Sequence, residues 1–148
     1  MLHQDWMHIA LQQAQIAAGQ GEIPVGAVVV QDGELLAVAH NEKELRGDPT
    51  AHAEVLAIQR AVEKLGTWRL DQAVLYVTLE PCPMCAGAII QARLKQVVFG
   101  APDSKGGACG SVMNVLDANS WNHRVDVIAG VLEEECSQIL KEFFRKLR

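Results

Sequence analysis

Extended and helical patterns alternate along the chain, and this alternation constrains its fold more than any other feature. Apolar and β-branched runs predict five strands, over Val25–Val30, Leu35–Ala39, Ala73–Leu79, Gln96–Phe99 and Arg124–Ile128. Helical spacing of apolar residues predicts four helices, over Asp5–Ala18, Ala51–Leu65, Pro83–Ala92 and from Leu132 onwards. This order predicts an α/β fold, in which helices cover both faces of one mixed five-stranded sheet in three layers, α/β/α.

Local signals mark the ends of several predicted elements. A turn at Gln31–Glu34 joins the first two strands as a hairpin, and Thr50 is the expected N-cap of the second helix. Pro83 suits the first position of the third helix, where a missing N–H costs little. The stretch Ala101–Ser120 is rich in glycine and is predicted to be an irregular loop. The last helix is predicted to be amphipathic, with one face formed by Leu132, Cys136, Ile139, Phe143 and Leu147.

Length and charge limit the kinds of function open to the chain. Its 148 residues suit a single domain, residues 1–148. The net charge of −5 argues against a diffuse basic surface for binding polyanions, although four basic side chains lie in Lys141–Arg148. The first ten residues lack a signal-peptide pattern, and no run approaches the ~20 apolar residues that cross a bilayer. We therefore expect a cytoplasmic protein with no membrane partner.

Two short motifs at predicted helix starts indicate a metal site. His52 and Glu54 open the second helix, and Cys82 and Cys85 open the third. The two cysteines are three residues apart, so they project from nearly the same face, and the helix dipole favours their thiolate forms. Two thiolates and one imidazole predict one zinc ion per chain, with a fourth position open for water. Cys109 remains an alternative fourth ligand, which would close the site and make it structural.

Glu54 is the candidate catalytic residue. It lies about half a turn beyond His52, so it should not bind the same ion, but its side chain can reach a coordinated water or the substrate. A carboxylate there can take a proton from water and deliver it to a departing amine. The combination H-x-E with P-C-x-x-C is the signature of zinc nucleobase deaminases. We therefore expect hydrolytic removal of an amino group from a nucleobase.

Further segments resemble the tRNA-specific adenosine deaminases. The metal motifs alone are shared with guanine, cytosine and deoxycytidylate deaminases, whereas later segments favour the tRNA enzymes. The resemblance rests on Pro24–Ala27, Asn41, Asp48–Glu54, Leu79–Ala88, Val98–Ala101, Asp103, Gly110–Ser111, Asn122–Val125 and Phe143–Arg145.

That resemblance implies a cytidine-deaminase-like fold, a homodimer, and conversion of the wobble adenosine of a tRNA anticodon to inosine. It implies that Asn41 hydrogen-bonds the flipped base and that Asp103 contacts the sugar of the neighbouring nucleotide. The anticodon stem-loop would meet Phe143, Phe144 and Arg145. Because the net charge is negative, phosphate contacts should be few and local, and the candidates are Lys105, Lys141, Arg145, Lys146 and Arg148.

Other interpretations remain open at this point. The chain could deaminate a free base or nucleoside such as guanine, or it could be a non-catalytic, zinc-stabilised RNA-binding subunit. Glu54 argues against the second, because a subunit without chemistry has no need of the acid. Asn41 could also be a turn residue and Asp103 a loop cap. Cys136 is expected in the core, and His123 is expected to be a hydrogen-bonded structural residue.

Overall fold

One mixed sheet of five strands organises the protein. The computed structural model describes residues 1–117 and 121–147, so the end of the predicted Ala101–Ser120 loop and Arg148 lie outside it. The strands are β1 (Gly26–Gln31), β2 (Glu34–His40), β3 (Val74–Leu79), β4 (Gln96–Ala101) and β5 (Asp126–Ile128), in the order β2-β1-β3-β4-β5. β1 runs antiparallel to β2 and β3, whereas β4 is parallel to β3 and β5. The predicted mixed sheet is confirmed.

Helices cover both faces of this sheet. They are α1 (His3–Gly19), α2 (Lys43–Arg46), α3 (Ala53–Leu65), α4 (Pro83–Gln91) and α5 (Glu133–Lys146). Alternate residues of β1 separate the two layers of core. Ala27 and Val29 pack with α3 and α4, whereas Val28 and Val30 pack with α1 and α5. The predicted three layers are therefore present. In the described part of the chain, no helix is long and apolar enough to span a bilayer.

The start of α3 differs from the prediction. Thr50 is not its N-cap, because the helix begins at Ala53 and His52 occupies the cap position. The hydroxyl and the N–H of Thr50 both donate to Oδ1 of Asp48, at 2.7 and 2.8 Å. Asp48 thus closes a turn of its own before the helix, a role that aspartate often takes. As a result, His52 stands in extended backbone at the mouth of α3.

The end of α5 also differs from the prediction. Cys136 is fully buried, as expected, and it lies so close to Gly100 that a Cβ there would overlap its sulfur. Leu147 was expected on the same buried face but is 69% exposed. The helix packs on β4, β3 and α1, and it ends at Lys146. Leu147 is its C-cap residue, so it lies beyond the helical face, where it lines a cavity together with Ile23, Phe143 and Phe144.

Candidate active site

A cavity of about 240 Å³ lies where β3 ends and α3 and α4 begin. Five segments that are distant in sequence line it, and they include five of the predicted site residues. The cavity is lined in part by Asn41, His52, Glu54, Cys82 and Asp103. The long-range pairing of β1 with β3 brings the first of these segments to the others.

His52, Cys82 and Cys85 form a group that can hold a metal ion. Nδ1 of His52 lies 3.7 Å from Sγ of Cys82 and 3.5 Å from Sγ of Cys85, and the three donor atoms are within 4.8 Å of one another. His52 precedes α3 as its cap residue, and Cys82 takes the same position before α4. Pro83 opens α4 as predicted, which turns Cys85 towards the same point.

The electrostatic surroundings of the two thiols differ. A hydrogen bond from the Cys85 thiol, opposed by burial and supported by a hydrogen bond with His52, lowers the pKa of Cys82 to about 4. The same contact with Cys82, together with burial, raises the pKa of Cys85 well above its ordinary range. One thiolate is therefore already present at neutral pH, and metal binding must displace the proton of the other.

Glu54 lies inside the same cavity, beside the metal-binding group. Its side chain is only 4% exposed, and burial raises its pKa to about 7. A carboxyl group with a pKa near neutrality can both accept and release a proton under working conditions. Within the described residues, the metal-binding group consists of His52 and the two cysteines and does not include Glu54.

Asn41 and Asp103 face the cavity from its outer side. Asn41 is 6% exposed, and its Oδ1 has no hydrogen-bond partner among the residues that the structure describes. A buried acceptor without a donor destabilises the folded protein, so such an atom commonly accepts a hydrogen bond from a bound ligand. The carboxylate of Asp103 accepts the N–H groups of Lys105 and Gly106 at 3.0 and 3.1 Å, so part of it caps its own loop.

The remaining predicted contact residues lie outside this cavity. Phe143 and Phe144 line a neighbouring cavity of about 500 Å³, which shares Ile23, Asn41 and Lys43 with the first. Their rings meet edge to face at 5.5 Å, and Phe144 is the more exposed of the two. Lys105 and Arg145 are exposed and line neither cavity. The two cavities together form one open face on this side of the molecule.

Two buried acids at this face were not predicted. Glu22 is fully buried and accepts the N–H groups of Glu44 and Leu45 at 2.9 and 2.6 Å. Glu80 is 2% exposed and accepts hydrogen bonds from Asp103, Cys109 and Ser111. Burial alone would raise the pKa of Glu80, but these donors outweigh it and leave the pKa lowered. The sequence does carry a signal for Glu80, because an acidic residue stands between the end of β3 and the first cysteine of the metal motif. No comparable signal marks Glu22.

Cys109 and His123 have other surroundings. Cys109 is buried but does not belong to the metal-binding group found among residues 1–117 and 121–147. Nε2 of His123 donates to the carbonyl oxygen of Leu94 at 2.6 Å, which fits the structural role expected for it.

Comparisons with known proteins agree with this arrangement. A model of the MafB19-like deaminase family matches residues 1–148. A tRNA-specific adenosine deaminase of Bacillus subtilis (strain 168) is 53% identical over 97% of this chain and 89% of the relative. A structure solved in a study of A-to-I editing by tRNA:A34 deaminases has a TM-score of 0.89 and 44% identity, covering 92% of this chain and 99% of that one. A Bacillus subtilis guanine deaminase has a TM-score of 0.66 and 44% identity over 69% of this chain and 66% of its own.

The fold and the metal-binding group with its adjacent acid define an enzyme of the deaminase class, in the MafB19-like family. The cytidine-deaminase-like architecture that the sequence predicts is thereby confirmed. The similarity to tRNA-specific adenosine deaminases covers nearly the whole chain, whereas the similarity to the guanine deaminase covers 69% of it. The chain belongs to the tRNA-specific adenosine deaminase family.

Proposed function

We propose that this protein binds one Zn²⁺ through His52, Cys82 and Cys85 and hydrolyses the wobble adenosine of a tRNA anticodon to inosine. The observation that carries the proposal is that His52, Cys82 and the buried Glu54 line one cavity, with the sulfur of Cys85 close to the other two donor atoms. Zinc ligated at typical lengths in a tetrahedron would separate a nitrogen and a sulfur ligand by about 3.5 Å. The separations of 3.5 and 3.7 Å fit that geometry.

When held by these residues, Zn²⁺ would supply Lewis acidity, which would make water at the site easier to deprotonate near neutral pH. Glu54 then carries the protons of the reaction. It accepts one from the water that attacks C6 of adenine, and it delivers that proton to the amino nitrogen as the C6–N bond breaks. Adenosine and water give inosine and ammonia, so Glu54 returns to its starting state. Its burial beside the ligands suits this exchange.

The outer side of the cavity supports recognition of a base that has left its stack. The free Oδ1 of Asn41 offers an acceptor to the base, and Asp103 lies at the rim, where a neighbouring sugar would pass. Anticodon loops present such unpaired bases. Phe143 and Phe144 offer stacking surfaces in the adjoining cavity. Lys105, Lys141, Arg145 and Lys146 supply a few phosphate contacts, and Arg148 lies beyond the described residues.

We further propose that the protein acts as a homodimer in the cytoplasm. Full-length similarity to the tRNA-specific adenosine deaminases supports this proposal. Sedimentation equilibrium should give twice the chain mass of 16.1 kDa. A mass equal to one chain at micromolar concentration would contradict it.

Deamination of a free base such as guanine is the second candidate. The similarity to a guanine deaminase favours it, since 69% of this chain is covered. The two candidates differ in the rim of the site, because a free base needs neither Phe144 nor nearby cations.

The deciding experiment offers both kinds of substrate to the same protein. Purified zinc enzyme is incubated with total tRNA, with an anticodon stem-loop, and separately with guanine, adenosine and cytidine. We expect inosine at the wobble position, measured by mass spectrometry of nucleosides after digestion, and no turnover of the free compounds. Ready turnover of a free compound without inosine in the stem-loop would move the function to the second candidate.

A further inference from the structure

Glu80 accepts four hydrogen bonds although it borders the cavity. Oε1 accepts the N–H of Asp103 at 3.0 Å and the hydroxyl of Ser111. Oε2 accepts the N–H groups of Cys109 and Ser111 at 3.0 and 3.1 Å. All of these donors belong to the segment 103–111, which follows β4.

The number of donors limits what Glu80 can do. An ionised carboxylate offers about four lone-pair positions, and here four donors occupy them. A proton or a substrate N–H would have to displace one of these hydrogen bonds. Glu54 differs in position, because it lines the cavity beside two of the metal-binding residues, His52 and Cys82. The acceptor positions of Glu80 are therefore filled by the protein itself, whereas Glu54 faces the cavity in which the substrate would bind.

The start of the segment 103–111 depends on this carboxylate for its shape. Ala108 and Cys109 anchor the other end of the segment in the core, whereas Ser104 and Lys105 are exposed and give its start little packing. Gly107 lies directly against Glu80, so closely that a Cβ would overlap the carboxylate. Backbone hydrogen bonds also hold the segment, among them those from Gly107 to Asp103 and from Ala108 to Pro81, both 2.9 Å, and further ones that join residues 107–110 to residues 112–115. The loop thus wraps its backbone around one buried negative charge.

We propose that Glu80 is a positioning residue, which holds the loop 103–111 so that Asp103 stays at the rim of the cavity. The proposal rests on the proposed function, because Asp103 would there contact the nucleotide beside the target base. Glu80 then acts on affinity for RNA and leaves the chemical step to Glu54. The direct link is the hydrogen bond from the Asp103 N–H to Oε1 of Glu80.

Glu80→Gln tests the proposal, since an amide NH₂ cannot accept from the N–H groups that face it. At least one buried donor loses its partner, which corresponds to about a 5- to 100-fold change. We expect KM for an anticodon stem-loop to rise by that factor, with kcat within about 3-fold and zinc content unchanged. A fall in kcat at constant KM would overturn the proposal and give Glu80 a part in the chemistry.

A double-mutant cycle with Asp103→Ala tests whether the effect passes through Asp103. If Glu80 acts by holding Asp103, the double variant should have nearly the KM of Asp103→Ala alone. If the increases in KM of the two single variants multiply in the double variant, Glu80 acts independently of Asp103, which would contradict the proposal. Tyr76→Phe is the control for a lost buried hydrogen bond, because Tyr76 bonds His3 on the α1 side of the sheet. It should leave KM unchanged.

Hydrogen exchange makes the test independent of the substrate. In Glu80→Gln, the amides of residues 103–111 should exchange faster, while those of α3 and α4 keep the rates of the unmodified protein. This outcome is expected even if the protein forms no inosine, so failure of the proposed function would be recognised separately. Unchanged exchange in 103–111 would overturn the proposal.

Ser111→Ala provides a milder variant should Glu80→Gln not fold. It removes the hydroxyl that donates to Oε1 and keeps the N–H that donates to Oε2. One net hydrogen bond corresponds to about a 2- to 10-fold increase in KM, together with faster exchange confined to the loop. The absence of both effects would contradict the proposal.

Discussion

The two sides of the cavity are built in different ways. On the metal side, His52, Glu54, Cys82 and Cys85 all lie at the starts of two helices that pack on the sheet. On the outer side, the side chains come from loops and from the C-terminal end of α5. Helix starts hold reacting groups rigidly, whereas loops can vary without disturbing them. The difference indicates that the reaction and the recognition of substrate can be altered separately.

Buried carboxylates hold the backbone of the loops on the outer side. Glu22 accepts backbone N–H groups from residues 44 and 45, and Glu80 accepts them from residues 103, 109 and 111. The metal side, in contrast, is completed by the ion that its donors would share. Loss of the ion should therefore leave the outer loops in place, and loss of a carboxylate should leave the metal group intact.

The largest effect should follow from removing a metal ligand. We expect Cys85→Ser to lose zinc, measured by atomic emission, and to lose turnover below detection, because the Lewis acidity that the reaction needs is lost with the ion. Cys109→Ser is the matched control, since Cys109 is also buried but lies outside the metal group. It should retain about one zinc per chain. Zinc lost from the Cys109 variant would indicate a closed, structural site.

The second effect separates chemistry from binding on the metal side itself. Glu54→Gln keeps the shape of the side chain but cannot carry a proton, so turnover should fall by about 10⁴-fold or more. Zinc content and affinity for the stem-loop should persist, as measured by emission and by filter binding. Glu63→Gln, on the outward side of α3, is the control and should be fully active. Near-normal turnover by Glu54→Gln would mean that another group carries the protons.

On the outer side, the end of α5 should affect RNA and not the metal. Phe144→Ala should weaken stem-loop binding by roughly 5- to 10-fold, at the lower end for an aromatic stack because the ring is partly exposed. Removing residues 144–148 should weaken it further and leave zinc content unchanged. The logarithm of affinity should fall with salt at about −0.7 per phosphate contact, for only a few phosphates. Indifference of turnover to this truncation would favour a free-base substrate.

The smallest expected effect concerns the turn before α3. The hydroxyl and the N–H of Thr50 lower the pKa of Asp48, whose ordinary value is 3.8. The stabilisation is therefore present above the unfolded pKa and is lost as pH falls through the folded one. Titration of Asp48 by NMR should give a midpoint below 3.8 in the unmodified protein. In Thr50→Ala the midpoint should move back towards that value, and activity at neutral pH should not change.

The metal side could be predicted from the sequence because its geometry is local. Spacings of two and three residues at a helix start determine which side chains face one point, and Pro83 marks that start. The carboxylates that hold the outer side could not, since Glu22 and Glu80 reach donors more than twenty residues away. The side chains predicted to line that side came from the family resemblance and not from a local pattern. Four residues of α2 are too few to display a helical period. The face predicted for α5 was wrong at Leu147, because periodicity alone does not reveal the last residue of a helix, and this one ends at Lys146.

The separation of the ligands in sequence also orders events during synthesis. His52 and Cys85 are 33 residues apart. At about 5–20 residues per second, a ribosome adds the second roughly 2–7 s after the first. The β1–β2 hairpin and all of α3 have therefore been synthesised before the cysteines are added. The ion can bind all three ligands only after Cys85 has joined the chain, so newly made chains in a cell short of metal would lack the stability that binding adds and would be degraded more readily.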